Sequence, residues 1–209
     1  TIKNITADIG SMFSWAENRI DLDRNPFHRL SIPRIKKGSQ GRKPWTQEQI
    51  VKFLSHKNMK RNDVLATAIA LYTGMRLEEI CQLRKKDIFD GCFHVEEGKT
   101  KSASRVVPIH PVLEELIQQT TYDKEGYLIH DLNGGGYDNK RSWNFQKRQG
   151  RLRKEAELPK GVVFHTLRNT FATRMENDGV PRNHISQLMG HEDGNMALDV
   201  YSGGLAIEP

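Results

Sequence analysis

Apolar positions recur every three or four residues through most of the chain, the period of amphipathic helices. Over residues 3–19, Ile5, Ile9, Met12, Phe13 and Ala16 share one helical face. Asn25-Pro26 and the stretch 33–44 break the pattern. They predict an irregular linker over 31–44 and set the first helix, within residues 1–30, apart as the end of a preceding module. Thr46-Gln47-Glu48-Gln49 has the form of a capping box, with Thr46 at the N-cap and Gln49 reaching back, and opens a helix carrying Ile50, Val51, Phe53 and Leu54. A compact domain over 45–209 is expected to start there. Its next helix, 61–73, places Val64, Leu65, Ala68, Ile69 and Tyr72 on one stripe and stops at Gly74, which suits a left-handed C-terminal cap. Met75-Arg76 makes a turn, and 77–83 resume as a short helix with Leu77, Ile80 and Cys81 facing inward.

Between 87 and 110 the period shortens. Phe93, Val95, Val106, Val107 and Ile109 predict strands joined by the polar turn Gly98-Lys99-Thr100-Lys101-Ser102. Pro108 has no N–H to give a neighbour, so the second long strand lies at a sheet edge or ends there. Helices are expected at 111–120, 141–156, 165–177, 182–189 and 195–201, with Gly179-Val180-Pro181 as a stop and restart. Asn133-Gly134-Gly135-Gly136 reads as a flexible loop. Together these elements predict a mostly helical α+β domain with a small antiparallel sheet.

Charge changes this picture. The 209 residues hold 32 Lys plus Arg against 26 Asp plus Glu, a net charge of +6. Three acid-free stretches, 34–47, 98–113 and 139–154, hold 15 of the 32 cations and leave −9 on the remainder. Any one run alone reads equally well as solvated surface, but three together are how a polyanion-binding protein looks. Lys36, Lys37, Arg42, Lys43, Lys101, Lys147, Arg148 and Arg151 are the residues expected to meet that polyanion. No run approaches the roughly 20 consecutive apolar residues of a membrane-spanning helix. Thr1-Ile2-Lys3-Asn4 lacks the layout of a secretion signal. Two cysteines, Cys81 and Cys92, offer no disulfide framework, so a reducing cytoplasm is expected.

A few side chains invite chemistry. Leu167, Phe171 and Met175 mark the buried face of one helix, and His165 and Arg168, three apart, share a neighbouring face from which both address one ligand. His191 follows Gly190 where the chain leaves a helix, and Tyr201 lies ten residues further on. Arg76, in a glycine-led turn, either reaches out of the core or pairs with Glu78 or Glu79. Singly, each also has an ordinary structural reading. Gly98-Lys99-Thr100 is not a nucleotide phosphate loop, because Phe93 stands where that motif needs glycine. No paired metal-ligand spacing and no glycine-flanked serine elbow of the Gly-x-Ser-x-Gly form occur, so neither metal, cofactor nor serine nucleophile is expected.

Taken in order, five segments resemble the catalytic domain of the tyrosine recombinases, the phage integrase family, over residues 44–203. They are Thr73-Gly74-Met75-Arg76-Leu77-Glu78-Glu79-Ile80, Gly98-Lys99-Thr100-Lys101 with Arg105-Val106-Val107-Pro108-Ile109, His165-Thr166-Leu167-Arg168, Leu188-Met189-Gly190-His191, and Tyr201. Phe13-Ser14-Trp15-Ala16 and Asn25-Pro26-Phe27 resemble the end of that family's core-binding domain. The resemblance implies the recombinase catalytic fold, with a three-stranded antiparallel sheet, and the catalytic set Arg76, Lys99, His165, Arg168, His191 and Tyr201. Tyr201 would attack a DNA phosphodiester to leave a 3′-phosphotyrosine and a 5′-hydroxyl, keeping the bond energy so that ATP and metal are not required. Arg76 and Arg168 would clamp the nonbridging oxygens. His165 would act as acid/base, and His191 would donate a hydrogen bond to the phosphate. Lys99 would protonate the departing oxygen, with Lys101 as the alternative. Glu79 matches the family's acidic position and would support the architecture.

The implied partners are double-stranded DNA at an attachment or recombination site, further copies of the chain up to a tetramer on DNA, and accessory DNA-bending proteins. No membrane partner is expected, and the place of action would be the cytoplasm, at the nucleoid of a bacterial or phage system. Two alternatives stay open. One is a noncatalytic DNA-binding protein reusing the fold, with the basic helix near 141–154 on phosphates. The other is DNA relaxation of the type IB topoisomerase kind, the same chemistry without pairing two duplexes.

Overall fold

A computed structural model describes residues 2–20, 24–28, 43–96 and 104–190. The chain divides into two compact units, residues 1–40 and 41–209, and the division falls inside the basic stretch that the sequence marks as a linker. The first unit holds α1 (Ile2–Glu17), which half-buries Ile9, Phe13 and Ala16. Asn25, 3% exposed, ties the helix to the turn after it. Its side-chain amide donates to the Gly10 carbonyl (3.0 Å) and the Ser14 hydroxyl (2.7 Å), and its oxygen accepts the Phe27 N–H (2.8 Å). Phe27 then packs on Phe13. Ile5 and Met12, expected on the covered face, are each 58% exposed, because this turn docks on the Gly10, Phe13 and Ser14 side.

The second unit runs α2 (Gln47–Leu54), α3 (Arg61–Thr73), α4 (Leu77–Gln82), β1 (Ile88–Phe89), β2 (Cys92–Val95), β3 (Arg105–Pro108), α5 (Pro111–Gln118), α6 (Ser142–Glu155), α7 (Thr166–Asn177) and α8 (Arg182–Met189). α2 starts as its sequence predicts. The Thr46 hydroxyl accepts the Gln49 N–H (3.3 Å), and the Gln49 side chain accepts the Thr46 N–H (3.0 Å). Just before it, buried Trp45 fixes the entry of the chain onto α7. Its backbone N–H donates to the Thr170 hydroxyl (2.8 Å) and its indole N–H to the Thr166 hydroxyl (2.9 Å).

α3 differs from the one-sided helix that its apolar stripe predicts. Ten of its thirteen residues are buried, so it is a central helix covered nearly all round, and Tyr72 is one of the few that reach solvent. Asp63 is fully buried within it. That position is tolerable only because the carboxylate is satisfied, by the Lys60 N–H (3.1 Å), Arg148 Nε (2.8 Å) and Gln149 Nε2 (2.7 Å). Arg148, expected to touch DNA, is therefore engaged inside the protein as the counter-charge linking α3 to α6. The sheet is antiparallel in the order β1-β2-β3, and β3 lies at the edge and ends at Pro108 as expected. Phe93 pairs Val107 and Val95 pairs Arg105, so the alternation that buries these apolar residues turns Arg105 inward as well. The glycine run is not loose: Gly135 bridges Lys140, and a Cβ there would lie 2.5 Å from the Trp143 ring.

Two stability outcomes follow from these links. Trp45→Ala should lower the unfolding free energy by about 3–5 kcal/mol in denaturant titration. Arg148→Met should lower it by about 3 kcal/mol while barely changing duplex affinity. A large affinity loss with unchanged stability would return Arg148 to the DNA surface.

Candidate active site

Two glycines in left-handed conformation frame the site. Gly74 (φ +64°) ends α3 and Gly190 (φ +65°) ends α8. Neither position has room for a side chain. A Cβ on Gly74 would lie 2.5 Å from the Phe171 ring, and one on Gly190 would lie 2.6 Å from Nη1 of Arg105. The last carbonyls of a helix have no partner within it, and at α8 three arginines from three different elements take them. Arg105 of β3 donates from Nε to the Leu188 carbonyl (2.8 Å), and Arg168 of α7 donates to that of Met189 (3.0 Å). Arg76, at the N-cap of α4, donates to that of Gly190 (2.6 Å). Arg168 also donates to the Gly74 carbonyl, which ties α7 to the end of α3. Cations at a helix C-terminus are favoured by the helix dipole as well as by these bonds.

Glu79, on the first turn of α4, holds two of the three guanidiniums. It accepts from Nη1 of Arg76 (2.8 Å) and from the Arg76 backbone N–H (2.7 Å). Arg105 meets the same carboxylate with its fork, Nη2 at 2.7 Å and Nη1 at 3.2 Å. The Glu79 and Arg105 side chains are each 8% exposed, against 40% for Arg76. Burial pushes the Glu79 carboxyl up, but the hydrogen bonds and charge of Arg105, with the hydrogen bonds of Arg76, outweigh it and hold the group below its usual range. Burial brings the Arg168 guanidinium down to about 10, with the Glu79 charge opposing and the charges of Arg76 and Arg105 adding to the shift. Arg168 is still cationic at neutral pH. Three guanidiniums around one carboxylate leave a surplus of positive charge in a poorly hydrated place, which suits an anion with oxygens spread about one centre.

Arg76 and Arg168 thus converge on neighbouring carbonyls. His165, at the N-cap of α7, is exposed, whereas Arg168, three residues on, is 3% exposed. Backbone carbonyls, in place of water, solvate the Arg168 head inside the protein. Lys99, Lys101, His191 and Tyr201 lie outside the described residues, as do Lys36, Lys37 and Arg42. Lys43 is exposed. Lys147 and Arg151 line an open groove of about 570 Å³ with Arg153, Lys154 and Lys160. Arg105 is the residue that sequence reasoning left among the surface cations. Its shared parity with Val107 and Ile109 was the available signal of an inward position. Among the described residues, no group of three His, Cys, Asp or Glu is placed to hold a metal ion, and no helix is long and apolar enough to cross a membrane.

The sequence profile of the phage integrase family matches residues 44–203. The tyrosine recombinase XerA of Thermococcus onnurineus is 31% identical over 173 residues, which cover 79% of this chain and 59% of that protein. The Tn1549 transposon integrase in complex with transposon right end DNA superposes with a TM-score of 0.69 at 23% identity, over 98% of this chain and 75% of that one. Lambda integrase, in a tetramer bound to a Holliday junction, superposes with a TM-score of 0.68 at 21% identity, over 92% of this chain and 59% of that one. The fold is that of the tyrosine recombinase catalytic domains. The chain belongs to the phage integrase family, and it spans less than two thirds of the XerA relative's length.

Glu79→Gln leaves the buried Arg105 charge without its counter-ion and should cost about 3 kcal/mol at neutral pH. A carboxyl lowered from 4.5 contributes stability that is fully present above that value and lost as pH falls through its folded value. The gap between wild type and Glu79→Gln in urea titrations should therefore close only in acid, below about pH 4.5.

Proposed function

We propose that this chain carries the strand-cleaving and rejoining chemistry of a site-specific DNA recombinase, with Tyr201 as nucleophile. The observation that supports this reading is the convergence of Arg76 and Arg168 at the end of α8, in a family member whose next residues are His191 and, ten further on, Tyr201. A scissile phosphate offers two nonbridging oxygens that gain charge as the phosphorus becomes five-coordinate. Arg76, partly exposed, meets them from the solvent side, and Arg168 supplies charge from beneath. The Tyr201 oxygen attacks phosphorus, the bond to the 5′-oxygen breaks, and a 3′-phosphotyrosine forms. His165 takes the tyrosine proton, Lys99 or Lys101 gives one to the departing oxygen, and His191 donates to a nonbridging oxygen. A 5′-hydroxyl reverses these steps on a new strand. One phosphoester replaces another each time, so no ATP is consumed.

The substrate is duplex DNA carrying a recombination site, worked on by a tetramer of copies with accessory DNA-bending proteins. Residues 1–30 act as the end of a core-binding module, Lys36, Lys37, Arg42 and Lys43 follow the duplex, and the groove with Lys147 and Arg151 meets backbone phosphates. The protein works at the DNA of the bacterial or phage genome.

A nicked suicide duplex tests this. Wild type should form an adduct that survives denaturant, and Tyr201→Phe should form none; an undiminished adduct would reassign the nucleophile. Arg168→Ala should slow cleavage by about 100-fold or more while affinity changes little.

A further inference from the structure

We infer that Arg105 is a positioning residue for this chemistry, holding the Arg76 guanidinium and the end of α8 in the arrangement that presents Arg76 and Arg168 to the phosphate. The inference rests on the function proposed above and goes beyond it, since Arg105 belongs to neither the clamp nor the nucleophile set. Its side chain is 8% exposed, too buried to lie along a duplex. Its fork bonds the same two Glu79 oxygens that take the Arg76 contacts, and its Nε fixes the Leu188 carbonyl. The same guanidinium lies against Gly190 so closely that a Cβ there would come within 2.6 Å of it. One planar group therefore joins the sheet edge, the first turn of α4 and the last turn of α8. Lysine, a single point charge, cannot make this fork.

The charge balance gives Arg105 a second duty. Glu79 is shared, so it neutralises neither arginine fully, and Arg76 keeps cationic character for an incoming phosphate. Without Arg105, Glu79 would face Arg76 alone, draw it inward and cancel its charge.

The test uses the full-length protein on the nicked suicide duplex under single turnover. Arg105→Met should slow adduct formation at saturating DNA by about 100-fold, the penalty of a misplaced clamp. Affinity should stay within about threefold, the range of a neutral substitution, and the slope of log Kd against log salt should not change. Arg105→Lys should recover only part of the rate. The double variant Arg105→Met/Glu79→Gln should cleave faster than Arg105→Met, because the unshared carboxylate is gone. A salt slope reduced by about 0.9 would make Arg105 a phosphate contact instead. A double variant slower than both singles would make the role merely structural, and near-wild-type rates in Arg105→Met and Arg105→Lys would leave no role. Should Arg105→Met not fold, the rate and salt slope of Arg105→Lys decide alone. A wild type that forms no adduct overturns the proposed function and this inference with it.

Discussion

The end of α8 presents backbone carbonyls that the helix itself cannot satisfy, and the rest of the site is arranged around filling them. Leu188, Met189 and Gly190 each accept from a different arginine, and those arginines come from β3, α7 and α4. Each buried guanidinium would be costly alone. Here each cation cancels an unpaired acceptor while each acceptor solvates a cation, so neither would be stable in place without the other. Gly190 must be glycine because the arginine plane occupies the space of a Cβ, and Gly74 must be glycine because the Phe171 ring does.

The scaffold behind this cluster is tied by polar bonds as much as by apolar packing. Trp45 holds α7 through Thr166 and Thr170, the turn that carries Arg168. Asp63 at the start of α3 is fixed to α6 through Arg148 and Gln149, and the other end of α3 delivers the Gly74 carbonyl to Arg168. α3 is therefore a buried strut with one end in the α6 contact and the other in the site.

What the sequence made legible was local. The Thr46 capping box, the stop at Gly74 and the edge strand ending at Pro108 each depend on residues within a few positions of one another. The order of motifs also marked Arg76 and Arg168. Contacts between distant residues were not legible: Arg105 meets Leu188 across 83 positions, and Arg148 meets Asp63 across 85. A cation in an acid-free run looks the same whether it faces solvent or a buried carboxylate. Periodicity carried the missing information in part. Arg105 keeps the parity of Val107, and Arg148 sits beside Gln149 on the inner side of α6 with Phe145 and Leu152. The tight packing of Trp143 on the glycine run had no local signal at all.

These placements also change the meaning of the basic stretches. Arg105 from the second and Arg148 from the third are spent inside the fold against Glu79 and Asp63, so the surface charge offered to a polyanion is narrower than the count of cations implies. What the third stretch does offer is the open groove with exposed Lys147 and Arg151. Inside, the cations are arginines held in fixed positions by carbonyls and by Glu79. The same excess of positive charge is thus divided between exposed cations outside and fixed, paired ones within, and burial decides which group each residue joins.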